Sequence, residues 1–432
     1  MGADGGVTAR HLPVRPDIAT LEREASELLD AARAGEAGAI AELTASGAGG
    51  LDPALATIED VRLALARSYQ APSWERLVLA CDLVDAIWRD DVARVRTLVT
   101  AHPEVIRESA LVRPSDWGPP LTYAANLGRD RIIRLLYDLG ARDLQTALAR
   151  AALQSRIGTA EMLYDLMGRP PIPNGALGGP AYTLSDSGTA LLFALGARVK
   201  DDAGRSLAPV DVVLETDSRK PAAKHAILQM YAAHGVELPD TAPMALHRGR
   251  IDLLERHLER DPALLRRRFT HEEIYPPALG CHDEVLATHG TPLAGATLLH
   301  MCMDYGELEI ARWLLERGMD VDAPAAVDRD GFGGHTALFA TVVSQMNFWM
   351  NYGAGGPKEA PFTQLLLDYG ADPHVRASLR KKLHPGYGED VLREYRDVTP
   401  LSWGARFHNK LFVSEPAMRL IEQRGGAGGP LA

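Results

Sequence analysis

The chain has 432 residues, which is long for one hydrophobic core, but a repeat protein escapes this limit because each repeat packs only on its neighbours. A formal net charge of −11 argues against nucleic-acid binding, which needs a basic face. The three cysteines form no CxxC pair, and neither an N-terminal apolar segment nor a membrane-spanning stretch is present, so we expect a cytoplasmic protein.

The N-terminal part reads as a short lead followed by helices. We expect residues 1–16 to be a disordered lead and residues 17–104 to form an N-terminal helical cap with degenerate first repeats. Thr57 and Asp60 have the spacing of a capping box, which predicts a helix ending near Tyr69. Pro72 then breaks the chain before a longer helix that reaches Trp88.

Two kinds of motif recur in residues 105–269 and 296–426. Four helix openings look alike, and they begin at Pro120, Thr297, Thr336 and Thr399. Three second helices end at a glycine, and they lie in residues 131–141, 309–318 and 362–372. A threonine before a helix accepts a backbone N–H bond, and a glycine after it adopts the left-handed conformation that ends the helix. The pattern therefore predicts pairs of short helices.

These motifs resemble the T-P-L-H-x-A opening and the glycine-closed second helix of ankyrin repeats. The resemblance implies an all-α helical repeat solenoid with short hairpin connections, in about nine or ten units of about 33 residues. The segment from Leu12 to Trp74 resembles the lead-in of many bacterial ankyrin-repeat proteins, which implies a bacterial source. The family mostly recognises other proteins through its concave face, so the resemblance implies a protein partner.

The regular pattern is interrupted mainly in the C-terminal half. We expect residues 270–295 to form a long insertion loop. Further additions lie in residues 322–335, between the two helices of the repeat that opens at Thr336, and in residues 374–398. Insertions of this kind often build the binding face of a repeat protein. Residues 427–432 read as a frayed tail.

Candidate binding residues are polar or polar-tipped side chains expected to face the groove, because such side chains suit interfaces. They are Trp117, Tyr123, Asn126, Tyr275, Asn347, Trp349, Trp403 and His408.

The alternative function is an enzyme or small-molecule receptor with an acid–base pocket built by the insertion loops. Its candidate catalytic residues are His271, Glu272, His300, Asp304 and His335. Asp304 falls one helical turn after His300, so the pair can act as a base and the group that orients it. In ankyrin repeats the histidine of the opening motif ties neighbouring repeats together, which gives His300 a purely structural interpretation as well.

No cofactor or metal is predicted. His271, Cys281, His282 and His289 have suitable side chains for zinc, but their spacing matches no structural zinc pattern. Asp328 and its neighbours lack the glutamate that completes a calcium loop.

Overall fold

The computed structural model describes residues 10–45, 55–282, 291–343, 359–382 and 391–425. The chain divides into two compact units, residues 1–171 and residues 172–432, and each is described by itself. Among the described residues, no helix combines the length and the apolar character that crossing a membrane requires.

The first unit contains nine helices in its described residues. They are α1 (Ile18–Arg33), α2 (Ala37–Ala45), α3 (Ile58–Ser68), α4 (Trp74–Trp88), α5 (Val92–Ala101), α6 (Pro120–Leu127), α7 (Asp130–Asp138), α8 (Leu144–Leu153) and α9 (Ile157–Leu166). A short 3-10 helix follows α5 at Pro103–Ile106.

The second unit has thirteen helices in the part of it that is described, together with two strands. The helices are α10 (Gly178–Tyr182), α11 (Asp186–Ala194), α12 (Val210–Glu215), α13 (Pro221–Ala233), α14 (Ala242–His247), α15 (Ile251–Arg260), α16 (His271–Ile274), α17 (Leu298–Tyr305), α18 (Leu308–Glu316), α19 (Ala337–Val342), α20 (Pro361–Asp368), α21 (Pro400–Arg406) and α22 (Glu415–Gln423). The strands are β1 (Ala377–Lys381) and β2 (Arg393–Val398).

Both units are built from pairs of short helices, which confirms the predicted helical repeat architecture. The capping box at Thr57 is formed, and α3 ends one residue before Tyr69. Gly128 and Gly306 end α6 and α17 in the left-handed conformation, with φ of 70° and 75°. All eight residues of α17 are buried, so this first helix packs on every side. Packing between neighbouring helices therefore supplies the core.

Residues 10–16 of the lead contact the helices of the first unit. Leu12 is buried, and Arg10 forms ion pairs with Glu24 and Glu42 at 3.1 and 2.8 Å. Burial of an apolar side chain together with these polar contacts offsets the conformational entropy that an isolated terminus would keep.

The insertion after α20 contains two strands, which the helical prediction did not include. Strands β1 and β2 pair antiparallel, and the buried positions of β1 alternate as expected for a strand with one face on the core. Gly333 joins this sheet because its N–H donates to the carbonyl of Ser378 at 2.7 Å. Its φ of 118° and the close approach of the Ala326 carbonyl leave no room for a side chain.

Candidate functional site

Four of the predicted binding residues are buried, with exposed fractions of 0% for Tyr123 and Trp403, 1% for Tyr275 and 2% for Asn126. Their burial does not fit the expected position on an open groove. Tyr123 and Asn126 on α6 and Trp403 on α21 lie in the core. Trp403 packs edge-on against Tyr395, with ring centroids 4.7 Å apart.

In the first unit, the lead contacts Tyr123, one of the predicted binding residues. Tyr123 donates its hydroxyl proton to the carbonyl of Val14 at 2.5 Å and accepts the indole N–H of Trp88 at 2.6 Å. Burial raises the pKa of the Tyr123 hydroxyl. Trp117 is half-buried, and its ring centroid lies 4.9 Å from that of Tyr123. Asn126 accepts a hydrogen bond from the guanidinium of Arg150 at 2.8 Å.

The remaining predicted binding residues do not gather at one place in the described structure. His408 is half-buried, and its Nδ1 lies 2.5 Å from the hydroxyl oxygen of Tyr395. Asn347 and Trp349 lie outside the described residues.

His300 and His335 form a hydrogen-bonded tie between repeats. Nδ1 of His300 lies 2.9 Å from Oγ1 of Thr297, and Nε2 of His300 donates to the carbonyl of His335 at 3.0 Å. Nε2 of His335 donates to the carbonyl of Pro292 at 3.1 Å. Burial lowers the pKa of His300 to about 4 and that of His335 to about 3, so both rings are neutral at pH 7. This geometry matches the structural interpretation of His300.

The other three candidate catalytic residues have separate surroundings. Nε2 of His271 lies 3.2 Å from the carbonyl oxygen of His282, and Glu272 is exposed. Asp304 is buried and pairs with Arg219 at 3.0 Å, not with His300. The predicted pairing of a histidine base with an orienting aspartate is therefore not formed.

Asp304 instead belongs to a buried charge cluster, which we define as Arg219, Lys224, Asp304, Glu307 and Lys381. Arg219 pairs with Asp304, and Nζ of Lys224 lies 3.4 Å from Oε1 of Glu307. Lys381 is 1% exposed, and burial lowers its pKa to about 7 despite the nearby charge of Asp304. Buried ionisable groups in such a cluster mark candidate functional sites.

Lys224 is the least satisfied member of the buried charge cluster. Its ammonium is buried and has no well-aligned hydrogen-bond acceptor among the described residues, although it lies 4.1 Å from the centre of the Tyr305 ring. The guanidinium of Arg219 lies 5.1 Å from the same ring centre. Burial lowers the pKa of Lys224, because removing the ammonium from water disfavours its charged form. No sequence pattern singled out this residue, since it falls in a degenerate repeat.

The loops between repeats border a groove of about 420 Å³ in the second unit, which we call the hairpin groove. It is lined by Pro292, Ala294, Gly295, Ala326, Val327, Asp328, Phe332, Gly333, His335, Leu379, Arg380 and Leu392. Val327 and Leu392 are 62% and 46% exposed, so two apolar side chains stand at its rim.

One group of described residues has the composition of a metal site. Asp211 and Glu215 on α12 lie beside His282, and one potential ligand atom from each lies within 4.8 Å of the others. Burial raises the pKa of Glu215, and the negative charge of Asp211 adds to this rise.

Comparison with known proteins finds similarity for one part of the chain. Residues 294–323, which contain α17 and α18, match the family model described as ankyrin repeat. None of the curated proteins matches the chain. Among solved structures, the chain is similar to the crystal structure of the human ASB11 ankyrin repeat domain, with 16% identity, a TM-score of 0.23, and coverage of 72% of this chain and 99% of that chain.

Proposed function

We propose that this protein binds a protein partner, and that the partner docks in the hairpin groove. Ankyrin repeats generally act as protein-interaction modules, which supports a polypeptide partner. Helices α14, α17 and α19 are buried at every residue, so these first helices offer little surface to a partner on a concave face. The loops between repeats are the more accessible alternative.

The single observation that carries the proposal is the apolar rim of the hairpin groove. A bound partner would cover the exposed apolar surface of Val327 and Leu392. Burying this surface stabilises the complex by about 25 cal/mol per Å². Phe332 forms part of the wall and is itself covered by the guanidinium of Arg396, whose central carbon lies 4.3 Å from the ring centre. A well-packed wall below exposed apolar side chains is the kind of pocket in which a large side chain of a partner contributes most to binding.

The occupant that suits this groove is an extended segment carrying one large apolar side chain. A volume of about 420 Å³ holds such a side chain with its flanking backbone, and is too small for a folded element. Arg380 at the wall already pairs with Asp328 and Asp330 at 2.6 and 3.2 Å, so recognition does not depend on a charged partner residue.

We expect the double substitution Val327→Asp with Leu392→Asp to weaken peptide binding at least 10-fold, because a hot-spot loss of about 1.4 kcal/mol has this effect. Peptides are first selected from a displayed library on the immobilised full chain, and their affinities are then measured by calorimetry. The matched control is Leu411→Asp, since Leu411 is also exposed, at 64%. Selected peptides that bind the double variant as tightly as the unsubstituted chain would rule out the groove, and so would a selection that yields none.

A second candidate function, a receptor for a small anion, is favoured by the poorly satisfied ammonium of Lys224. A buried charge without full compensation is costly, and an anionic group bound beside Lys224 and Arg219 would lower that cost. This proposal keeps the small-molecule alternative but moves its site from the histidines to the buried charge cluster.

We expect inorganic phosphate or acetate, tested separately, to raise the thermal unfolding midpoint of the unsubstituted chain but not of Lys224→Met. A ligand at 100 times its dissociation constant adds about 2.7 kcal/mol of stability. Without ligand, Lys224→Met should unfold earlier than the parent, because the buried carboxylate of Glu307 loses its lysine partner, so each shift is measured from the variant's own midpoint without ligand. Lys220→Met is the control, since Nζ of Lys220 is already bonded to the carbonyl of Thr183 at 2.7 Å. Equal midpoint shifts in both variants would exclude an anion site at Lys224.

A further inference from the structure

We infer that Asp211, Glu215 and His282 form a binding site for a divalent transition-metal cation, with zinc as the best fit. The inference does not depend on either function proposed above. Asp211 and Glu215 come from α12, whereas His282 follows the 3-10 helix Pro277–Leu279.

The geometry of the three side chains suits a common ion. Asp211 and Glu215 are four residues apart on one helix, so their carboxylates share a face. Nδ1 of His282 lies 3.3 Å from Oε2 of Glu215, and one ligand atom from each of the three residues lies within 4.8 Å of the others. Two ligand atoms bound at about 2.0–2.1 Å to a tetrahedral ion lie about 3.3 Å apart, so modest side-chain rotations complete the site.

The charges of the group also call for a cation. In the described parts of the chain, neither Asp211 nor Glu215 forms an ion pair with a lysine or an arginine; the one basic group in contact with them is the His282 ring. Glu215 is only 23% exposed at its side chain. Two neighbouring carboxylates in a half-buried position repel each other. A divalent cation bound to both would attract each of them and so offset this repulsion.

The main chain at His282 is held beside Glu215 before any ion binds. The N–H of His282 donates to Oε1 of Glu215 at 2.6 Å, which fixes the start of this segment on α12. Gly280, with a φ of 92°, turns the chain close to Asp211, and a Cβ built at Gly280 would lie 3.5 Å from Cγ of Asp211. A ligand set positioned in this way loses less entropy on binding.

The donor set distinguishes between classes of cation. One imidazole nitrogen with two carboxylates suits zinc and similar transition metals, whereas magnesium and calcium prefer oxygen ligands throughout. Of the residues that the sequence offered for zinc, His282 belongs to this site, and of the other described ones His271 and Cys281 are not part of it. Nε2 of His271 is directed to the His282 carbonyl, and His289 lies outside the described residues.

The test is a zinc titration of the full chain after removal of metal with EDTA, followed by calorimetry and by thermal unfolding. We expect the unsubstituted chain to bind zinc and to unfold at a higher temperature with it, while Glu215→Gln and Asp211→Asn bind at least 10-fold more weakly. Magnesium at the same concentration should leave the unfolding temperature unchanged. In EDTA, Glu215→Gln should unfold no earlier than the parent, because the amide oxygen still accepts the His282 N–H and the carboxylate repulsion is gone.

Asp240→Asn supplies the matched control. Its carboxylate also lies next to a histidine, with Oδ1 at 3.1 Å from Nε2 of His257, but within the described ranges no third potential ligand side chain completes a metal-binding group there. Zinc affinity should therefore be retained in this variant. The inference is overturned if zinc does not bind the unsubstituted chain, or if Glu215→Gln and Asp211→Asn bind it as tightly as Asp240→Asn does.

Discussion

Replacing Asp304 by alanine should destabilise the second unit by about 3–5 kcal/mol, measured by urea unfolding at pH 7. This is the usual cost of leaving one member of a buried ion pair without its partner. The side chains of Arg219 and Asp304 are only 9% and 0% exposed. Arg219 cannot easily turn to solvent, because its guanidinium also donates to the carbonyls of Thr216 and Asp304 at 2.6 and 2.8 Å.

An exposed ion pair of the same type provides the control. Asp252 pairs with Arg250 at 2.6 Å, and their side chains are 56% and 39% exposed. Asp252→Ala should cost less than about 1 kcal/mol, because water replaces the lost partner. Similar losses for the two variants would show that the buried charge cluster is effectively open to water.

Acid should destabilise the second unit well before its carboxylates are protonated, because His300 and His335 are buried in their neutral form. Their pKa values in the folded chain are about 4 and about 3, below the ordinary value near 6.5. The unfolded chain therefore binds more protons between these values. Stability is complete above pH 6.5 and falls as the pH decreases, by about 2 kcal/mol for each histidine at pH 5. Urea unfolding at pH 7, 6 and 5 measures the slope.

The variant His335→Gln separates this effect from other titrations. Its amide can still donate to the Pro292 carbonyl, but it has no proton to take up, so the slope should fall by about one proton. His374→Gln is the control, because His374 is exposed, and its slope should equal that of the parent. An unchanged slope in His335→Gln would show that the tie between repeats does not titrate in this way.

The repeat architecture followed from local rules that leave a clear mark in a sequence. Threonine before a helix, apolar positions at helical spacing and a glycine at the end of the second helix each depend on neighbouring residues only. Helices α17, α19 and α21 each begin directly after such a threonine. Strands β1 and β2 were missed because their pairing joins residues across an insertion, and the alternation within each strand is short.

The candidate sites depend on contacts that no local pattern reveals. Arg219 meets Asp304 across 85 residues, and Glu215 meets His282 across 67. The aromatic residues at repeat positions were expected to face the groove, but aromatic character alone does not say whether a ring such as Trp403 faces a partner or the core.

The loops of the second unit are linked to one another by their backbones. Phe269 donates to Ala296 at 2.8 Å, Ala326 to Gly295 at 2.8 Å, and Gly333 to Ser378 at 2.7 Å. A displacement of one of these loops is therefore transmitted to the next, because backbone hydrogen bonds connect them directly. A partner that binds at Val327 therefore contacts loops that are already connected to one another. Little of its binding free energy is then spent on changing the conformation of these loops.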